Sequence, residues 1–367
     1  MSDTKIGVFS DLEGPLDKRD GCAMWFYQLC QMMGFGDIGY IIYAIFSDID
    51  DIWGFGKKSK VLSLVPDYSS GYTLSWMLAF YKAIMVLKDL KYASLEEFYK
   101  STIKIVPNSR EAVQALDQQF IFRIISTSYD SMVRSFCAYA SLDFSKTVCT
   151  QVPRFDDIPI SQQEAIRIVN FLEQVGRYKE IKYDSTTYEV HPDFQELYDM
   201  VTRFMWEDMY NWEVGWFMKN IKPVGEQQKR EALVQLMQMY NLPKSQVMYD
   251  GDSQTDRGCA EELQGEGLVL SFNGKGPINN LADILYIGTD ARVIHTVASV
   301  FSTFGREGVR EAFRTPIKLE KVTIGDPGKE VEMEQIIGTN TPETFQMLNE
   351  HSVMFRKNFR GEAGQLP

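Results

Sequence analysis

No long apolar run interrupts the 367-residue sequence. The longest, residues 40–46, falls far short of the roughly 20 residues that a membrane-spanning helix needs, so no membrane partner is expected. Positive charge is also scarce: 38 Lys and Arg stand against 50 Asp and Glu, a net charge of −12. A nucleic-acid surface needs a basic stripe, so that class of partner is not expected either. Any anionic ligand must then be held by local cations, because the global field repels it. The five cysteines (Cys22, Cys30, Cys137, Cys149 and Cys259) are odd in number and form no CxxC pair. That pattern fits reduced, buried thiols, and neither a disulfide framework nor a cysteine-held metal. The chain opens without a basic–apolar–small leader pattern, which with the thiols predicts a soluble, cytoplasmic protein. Internal repeats and low-complexity tracts are absent as well. Against these gaps stand 44% hydrophobic and 13% aromatic residues, enough for sizeable buried cores.

The sequence concentrates polar chemistry at the ends of short apolar runs. Residues 5–16, KIGVFSDLEGPL, begin as a buried strand and stop at Asp11 and Glu13. Carboxylates are costly to bury unless they are paired or bind a cation. Their i, i+2 spacing lets both face one crevice, while Gly14 and Pro15 turn the chain away. Open α/β sheets bind ligands just beyond the carboxyl ends of their strands. Residues 120–133, FIFRIISTSYDSMV, form a second run that stops at Ser126-Thr127-Ser128. Residues 245–256, SQVMYDGDSQTD, form a third, stopping at Asp250-Gly251-Asp252-Ser253 with Asp256 one turn on. Between them Lys229 opens a helical pattern. Singly, these residues read better as an acidic turn, a helix cap, a solvated helix face and a capped turn.

Taken in order, an acidic strand end, a strand-end Ser, a Lys and a GDSxxD cluster resemble the haloacid dehalogenase (HAD) superfamily of phosphohydrolases. The DLEG variant, the STSY run, SDIDDIW at 47–53 and EGLVLSFNGKG at 266–276 narrow the likeness. They resemble the archaeal and bacterial branch labelled energy-converting hydrogenase A subunit R, a relative of phosphoserine phosphatase. The resemblance implies an α/β fold: a HAD-like Rossmannoid core with a parallel sheet, a helical cap inserted after the first strand, and a second helical insert. It implies Mg²⁺ held by Asp11, Asp252 and the main-chain carbonyl of Glu13, with Asp256 acting from behind or through water. Asp11 is then the nucleophile and Lys229 balances charge. Ser126 and the Thr127 amide hold the phosphoryl oxygens, and Glu13 donates and accepts the proton. Where the family's commonest pattern has a second Asp, this sequence has Glu13, which moves the proton donor by about one carbon–carbon bond. The substrate implied is a small phosphorylated metabolite. Two other readings stay open: phosphoryl transfer to an alcohol, and an accessory or assembly protein that uses such a site without turnover.

The same reading divides the chain into a first core strand (1–16), a helical cap (17–103), core (104–153), a helical insert (154–222), core (223–305) and a C-terminal extension (306–367). Spacings of three and four predict helices over 22–34 and 73–90, with Ser94-x-x-Glu97 as a capping box. The acids of 48–51 are expected to form a helix cap or solvated turn interrupting the cap. Strands are expected at 147–152, 247–249 and 268–271, with an edge strand at 284–287 and a helix over 291–304. Beyond Gly305 the pattern turns polar and irregular, with one helix near 342–350 and a loose end from 356. The insert carries Trp206, Tyr210, Trp212, Trp216 and Phe217. Such density points to packed core or a subunit contact more than to a ligand box. It predicts a subdomain that either packs on the cap to narrow the entrance or builds a homodimer contact.

Overall fold

The computed structural model describes residues 6–56, 61–66, 68–325 and 327–361. Its centre is an eight-stranded sheet in the order β3-β2-β1-β4-β5-β6-β8-β7. The strands are β1 (Gly7–Ser10), β2 (Ile121–Tyr129), β3 (Thr147–Thr150), β4 (Val247–Gly251), β5 (Leu268–Phe272), β6 (Ile284–Ile287), β7 (Ile317–Ile324) and β8 (Val331–Thr339). The pairings from β3 through β6 are parallel, and β8 and β7 add an antiparallel hairpin. All four residues of β1 are buried, as are all of β4, β5 and β6. Parallel strands covered on both faces read as continuous apolar runs, which is why these were legible in the sequence. The α/β class, with its Rossmannoid parallel core and helices inserted after the first strand, is the one observed.

β1 lies between β2 and β4, and the chain builds outward from it first on one side and then on the other. That reversal leaves a crevice at the carboxyl ends of β1, β2 and β4, where ligands of such sheets bind.

Helices Gly21–Met33, Ile38–Phe55, Thr73–Leu87 and Tyr92–Ser101 form the cap. Two expectations change here. The acids of 48–51 do not interrupt the cap but sit inside the helix Ile38–Phe55, with Asp50 and Asp51 buried. The expected capping box at Ser94 is one turn late, because its helix starts at Tyr92 after Lys91.

In the insert, Ser161 and Glu164 do form a capping box at the start of the helix Gln162–Val175. Phe171, Val201, Met205 and Trp206 of the insert share one buried apolar cluster with Phe46, Trp53 and Trp76 of the cap. Trp53 and Trp206 meet edge to face at 5.5 Å, and Phe46 stacks near Phe171 at 6.2 Å. Cap and insert are therefore packed as one helical layer over the strand ends.

The C-terminal stretch departs furthest from expectation. β6 is not an edge: β8 pairs with it, and β7 pairs with β8. The helix expected over 291–304 is found, but it is broken at Gly305 (φ 65°, ψ −175°) and runs on to Ala312. The last helix spans Phe345–Arg360 and buries Leu348, Ser352, Phe355, Arg356 and Phe359 on one face. Leu348, Phe355 and Phe359 belong to the same apolar core as the sheet. The expected loose end is thus ordered helix as far as Arg360, and 362–367 lie outside the described residues.

Candidate active site

Asp11 follows β1, Ser126 and Thr127 lie near the end of β2, and Asp252 follows β4. Lys229 comes from the helix Glu226–Met239, which packs behind them. The structure gathers all of these residues at one place. Lys229 is fully buried and bridges two carboxylates, at 2.9 Å from Asp11 Oδ2 and 2.8 Å from Asp256 Oδ1. Burial works against its charge, but Asp11 and Asp256 outweigh burial and keep Lys229 protonated. Burial pushes the Asp11 carboxyl up to about 7, with Lys229 pulling the other way. Its Oδ1 accepts the Leu12 amide at 2.7 Å, which fixes the carboxylate's orientation.

Asp256 is saturated with donors. Oδ1 accepts from Lys229 and the Tyr249 hydroxyl, and Oδ2 accepts the amides of Asp252 and Ser253. Burial alone would raise its pKa, but Lys229 and these hydrogen bonds hold it below the ordinary carboxylate value. Asp256 therefore organises the turn and Lys229. Gly251 makes the fit possible, since a Cβ there would lie 2.4 Å from Asp256 Cγ.

Gly14 plays the matching part on the other strand. Its φ is +113°, and a Cβ would stand 2.1 Å from Asp252 Oδ2, so only glycine lets the two loops approach. Asp11, Asp252 and Asp256 offer carboxylate oxygens within 4.8 Å of one another. Hard oxygen donors in that arrangement suit Mg²⁺. The fit rests on Asp11 and Asp252, since the oxygens of Asp256 are already taken.

The irregular register of β2 between Ile125 and Tyr129 falls on Ser126–Ser128, where such shifts re-aim side chains. Thr150 of β3 anchors it by donating to the Thr127 carbonyl at 2.6 Å. The Thr127 hydroxyl is buried and has no hydrogen-bond partner among the described residues. Glu13 points to the cap: its Oε1 accepts the Gly21 amide at 2.6 Å, at the start of the helix Gly21–Met33. Burial, and next the neighbouring Asp20, push Glu13 up to about 8, so it holds its proton at neutral pH.

A cleft lined by Asp11, Glu13, Ser126, Thr127 and Asp252 is roofed by Tyr43, Ser47, Asp50 and Asp51 of the cap. Asp50 Oδ1 accepts from the Tyr68 hydroxyl and Oδ2 from the Gly71 amide, while Asp51 accepts from Ser70 at 2.5 Å. Among the described residues nothing from 154–222 lines this cleft. Trp212 packs on Phe204 and beneath Arg167, all within the insert, and Trp216 is 36% exposed. The insert thus reaches the site through the cap and through Tyr188, whose hydroxyl accepts from the Gln254 side chain on the cleft wall at 3.2 Å.

Sequence reasoning missed two further residues of the cleft. Arg356 and Arg360, from the last helix, both donate to Asp252 Oδ2, Arg360 at 2.6 Å. The signal was present in the apolar stripe Leu348, Phe355 and Phe359, which docks the helix and carries both arginines inward.

No family model and no curated protein matches this sequence. Among solved structures, gene product AF1437 from Archaeoglobus fulgidus aligns over 99% of both chains at 20% identity and a TM-score of 0.72. That likeness establishes a shared fold. An apo phosphoserine phosphatase aligns over 80% of this chain and 98% of its own, at 12% identity and a TM-score of 0.42. A probable phosphoserine phosphatase from Vibrio cholerae aligns over 82% and 68%, at 12% identity and a TM-score of 0.39. Among the described residues no helix is long and apolar enough to cross a membrane.

Proposed function

We propose that this chain is a Mg²⁺-dependent phosphohydrolase of the haloacid dehalogenase type. It hydrolyses a small phosphomonoester through an aspartyl-phosphate on Asp11. The observation that carries the reading is the buried Lys229 bridging Asp11 and Asp256 at the ends of adjacent strands. A lysine so placed neutralises the nucleophile's surroundings without blocking Asp11 Oδ1 or the face toward the cleft. The narrower likeness to the hydrogenase-linked branch rests on the sequence motifs.

Asp11 and Asp252, with the Glu13 carbonyl, would hold Mg²⁺, which when bound supplies the charge that draws a phosphoryl dianion to an acidic site. Asp11 attacks phosphorus, and the bond to the ester oxygen breaks. Glu13, protonated at neutral pH, gives its proton to the departing alkoxide and then takes one from the water that opens the acyl phosphate. Ser126 and Thr127 receive the non-bridging oxygens, and the unpartnered Thr127 hydroxyl suits that role. The cleft encloses about 110 Å³, against ~300–1,000 Å³ for sites that take drug-sized ligands. A cleft of that size favours a small metabolite.

The test is release of inorganic phosphate from p-nitrophenyl phosphate and a panel of phosphometabolites, with Mg²⁺ and with EDTA. Turnover that needs Mg²⁺ and disappears in Asp11→Asn supports the reading. A protein that is folded, metal-replete and inert toward the whole panel would favour a role without turnover.

A further inference from the structure

The last helix brings Arg356 and Arg360 against the carboxylate expected to bind metal, and the Mg²⁺ reading does not account for them. Both guanidinium groups line the cleft, and their side chains are only 4% exposed. They are held in place by the fold. Arg360 also donates to the carbonyls of Lys18 at 2.8 Å and Arg19 at 3.0 Å. Arg356 is fixed by its helix, which Ser352 pins to the Gly274 carbonyl at 2.7 Å. The Arg356 Nε is buried and has no acceptor among the described residues.

The charges of the centre then balance without any ligand. Asp11, Asp252 and Asp256 face Lys229, Arg356 and Arg360. With Lys229 alone, three carboxylates would leave a net negative charge and draw a divalent cation unaided. With the arginine pair that attraction is largely cancelled.

We propose that Arg356 and Arg360 are a built-in counter-cation for Asp252 that becomes a phosphoryl-oxyanion subsite when a divalent cation takes that carboxylate. This rests on the phosphohydrolase reading and adds to it. Cation and phosphoryl group enter as a neutral pair, and each binds weakly without the other. Thermodynamic linkage makes the effect reciprocal.

The experiment uses the full-length protein with Mn²⁺ as the probe, following loss of the free-ion EPR signal with and without inorganic phosphate. In the wild type, phosphate should tighten Mn²⁺ at least about tenfold, the scale of one unit charge acting on a divalent ion at a few ångströms. Arg360→Gln should bind Mn²⁺ alone at least about fivefold more tightly and show a smaller phosphate effect, whereas Arg360→Lys should behave as the wild type. Wild-type Mn²⁺ affinity that phosphate changes less than about twofold overturns the inference whether or not the variants fold. So does Arg360→Gln that is folded but binds Mn²⁺ no more tightly alone. In either case Mn²⁺ still binds, so the phosphohydrolase reading stands. Absence of Mn²⁺ binding under every condition overturns the inference and the metal assignment together.

Discussion

The two carboxylates of the Asp250-Gly251-Asp252 turn have unlike surroundings. Asp250 is the penultimate residue of the buried β4, accepts the Ser10 hydroxyl at 3.0 Å, and leaves Oδ1 without a partner among the described residues. Burial pushes it well above the ordinary carboxylate value. Asp252 faces two arginines and the cleft. Asp250→Asn should therefore keep kcat within about threefold, since an amide of the same shape replaces a carboxyl whose charge burial disfavours and which does not line the cleft. Asp252→Ala should lose both Mn²⁺ binding and turnover. Equal, complete loss in both folded variants would mean that the metal carboxylate has been assigned to the wrong residue. For Asp11→Asn, loss of the covalent nucleophile should lower kcat by roughly 10⁴-fold or more. Near-normal release of p-nitrophenolate by deamidation-free protein would rule the aspartyl-phosphate out.

At the scale of single elements, legibility followed burial. Asp11, Ser126 and Asp252 stood out because each breaks or borders an apolar run of a strand buried on both faces, with Asp256 one turn on, whereas Lys229 stood out by its place in the order at the start of a helical pattern. β7 gave no such signal: seven of its eight residues are not fully buried, and Lys318, Glu320 and Lys321 make it resemble a polar loop. Charged edge strands of that kind are how sheets avoid pairing with other chains. The cap acids misled for the opposite reason. SDIDDIW looks solvated by composition, yet the helix Ile38–Phe55 turns Asp50 inward onto the Tyr68 hydroxyl and the Gly71 amide. Burial pushes Asp50 from 3.8 to about 7. The folded chain then holds this proton more tightly than the unfolded chain, so the associated stability is present at low pH and is lost as pH rises from about 4 to about 7. Asp50→Asn removes that loss, and the melting temperature of the variant relative to the wild type should rise between pH 5 and pH 8. A difference that stays flat across that range would show that Asp50 is ionised throughout.

Over the whole molecule, the insert bears on the chemistry through the cap. Trp206 lies 5.5 Å from Trp53 and 5.8 Å from Tyr68, and Tyr68 in turn donates to Asp50 in the roof of the cleft. Trp212 and Trp216 stand further off: Trp212 rests beneath Arg167 and on Phe204, which stacks on Phe171 and through it on Phe46 of the cap, and Trp216 meets Phe217 at the surface. An aromatic stripe read from sequence alone cannot distinguish these, because helical phase decides which ring turns toward the neighbouring element. The π-helical turn Phe204–Asp208 shifts that phase in the middle of the stripe. Trp206→Ala should leave a large cavity between insert and cap, cost about 3–5 kcal/mol of stability, and loosen the Tyr68–Asp50 contact. Its KM for a small phosphomonoester should rise several-fold with a lesser change in kcat, since Asp11 and Lys229 are anchored in the sheet core. Trp212→Ala should keep KM within about twofold, because the ring it removes is only half-buried and remote from the cleft. Steady-state kinetics on both variants, with unfolding followed by circular dichroism, decides the matter. If Trp212→Ala raises KM as much as Trp206→Ala does, the insert reaches the substrate by a route other than Tyr68.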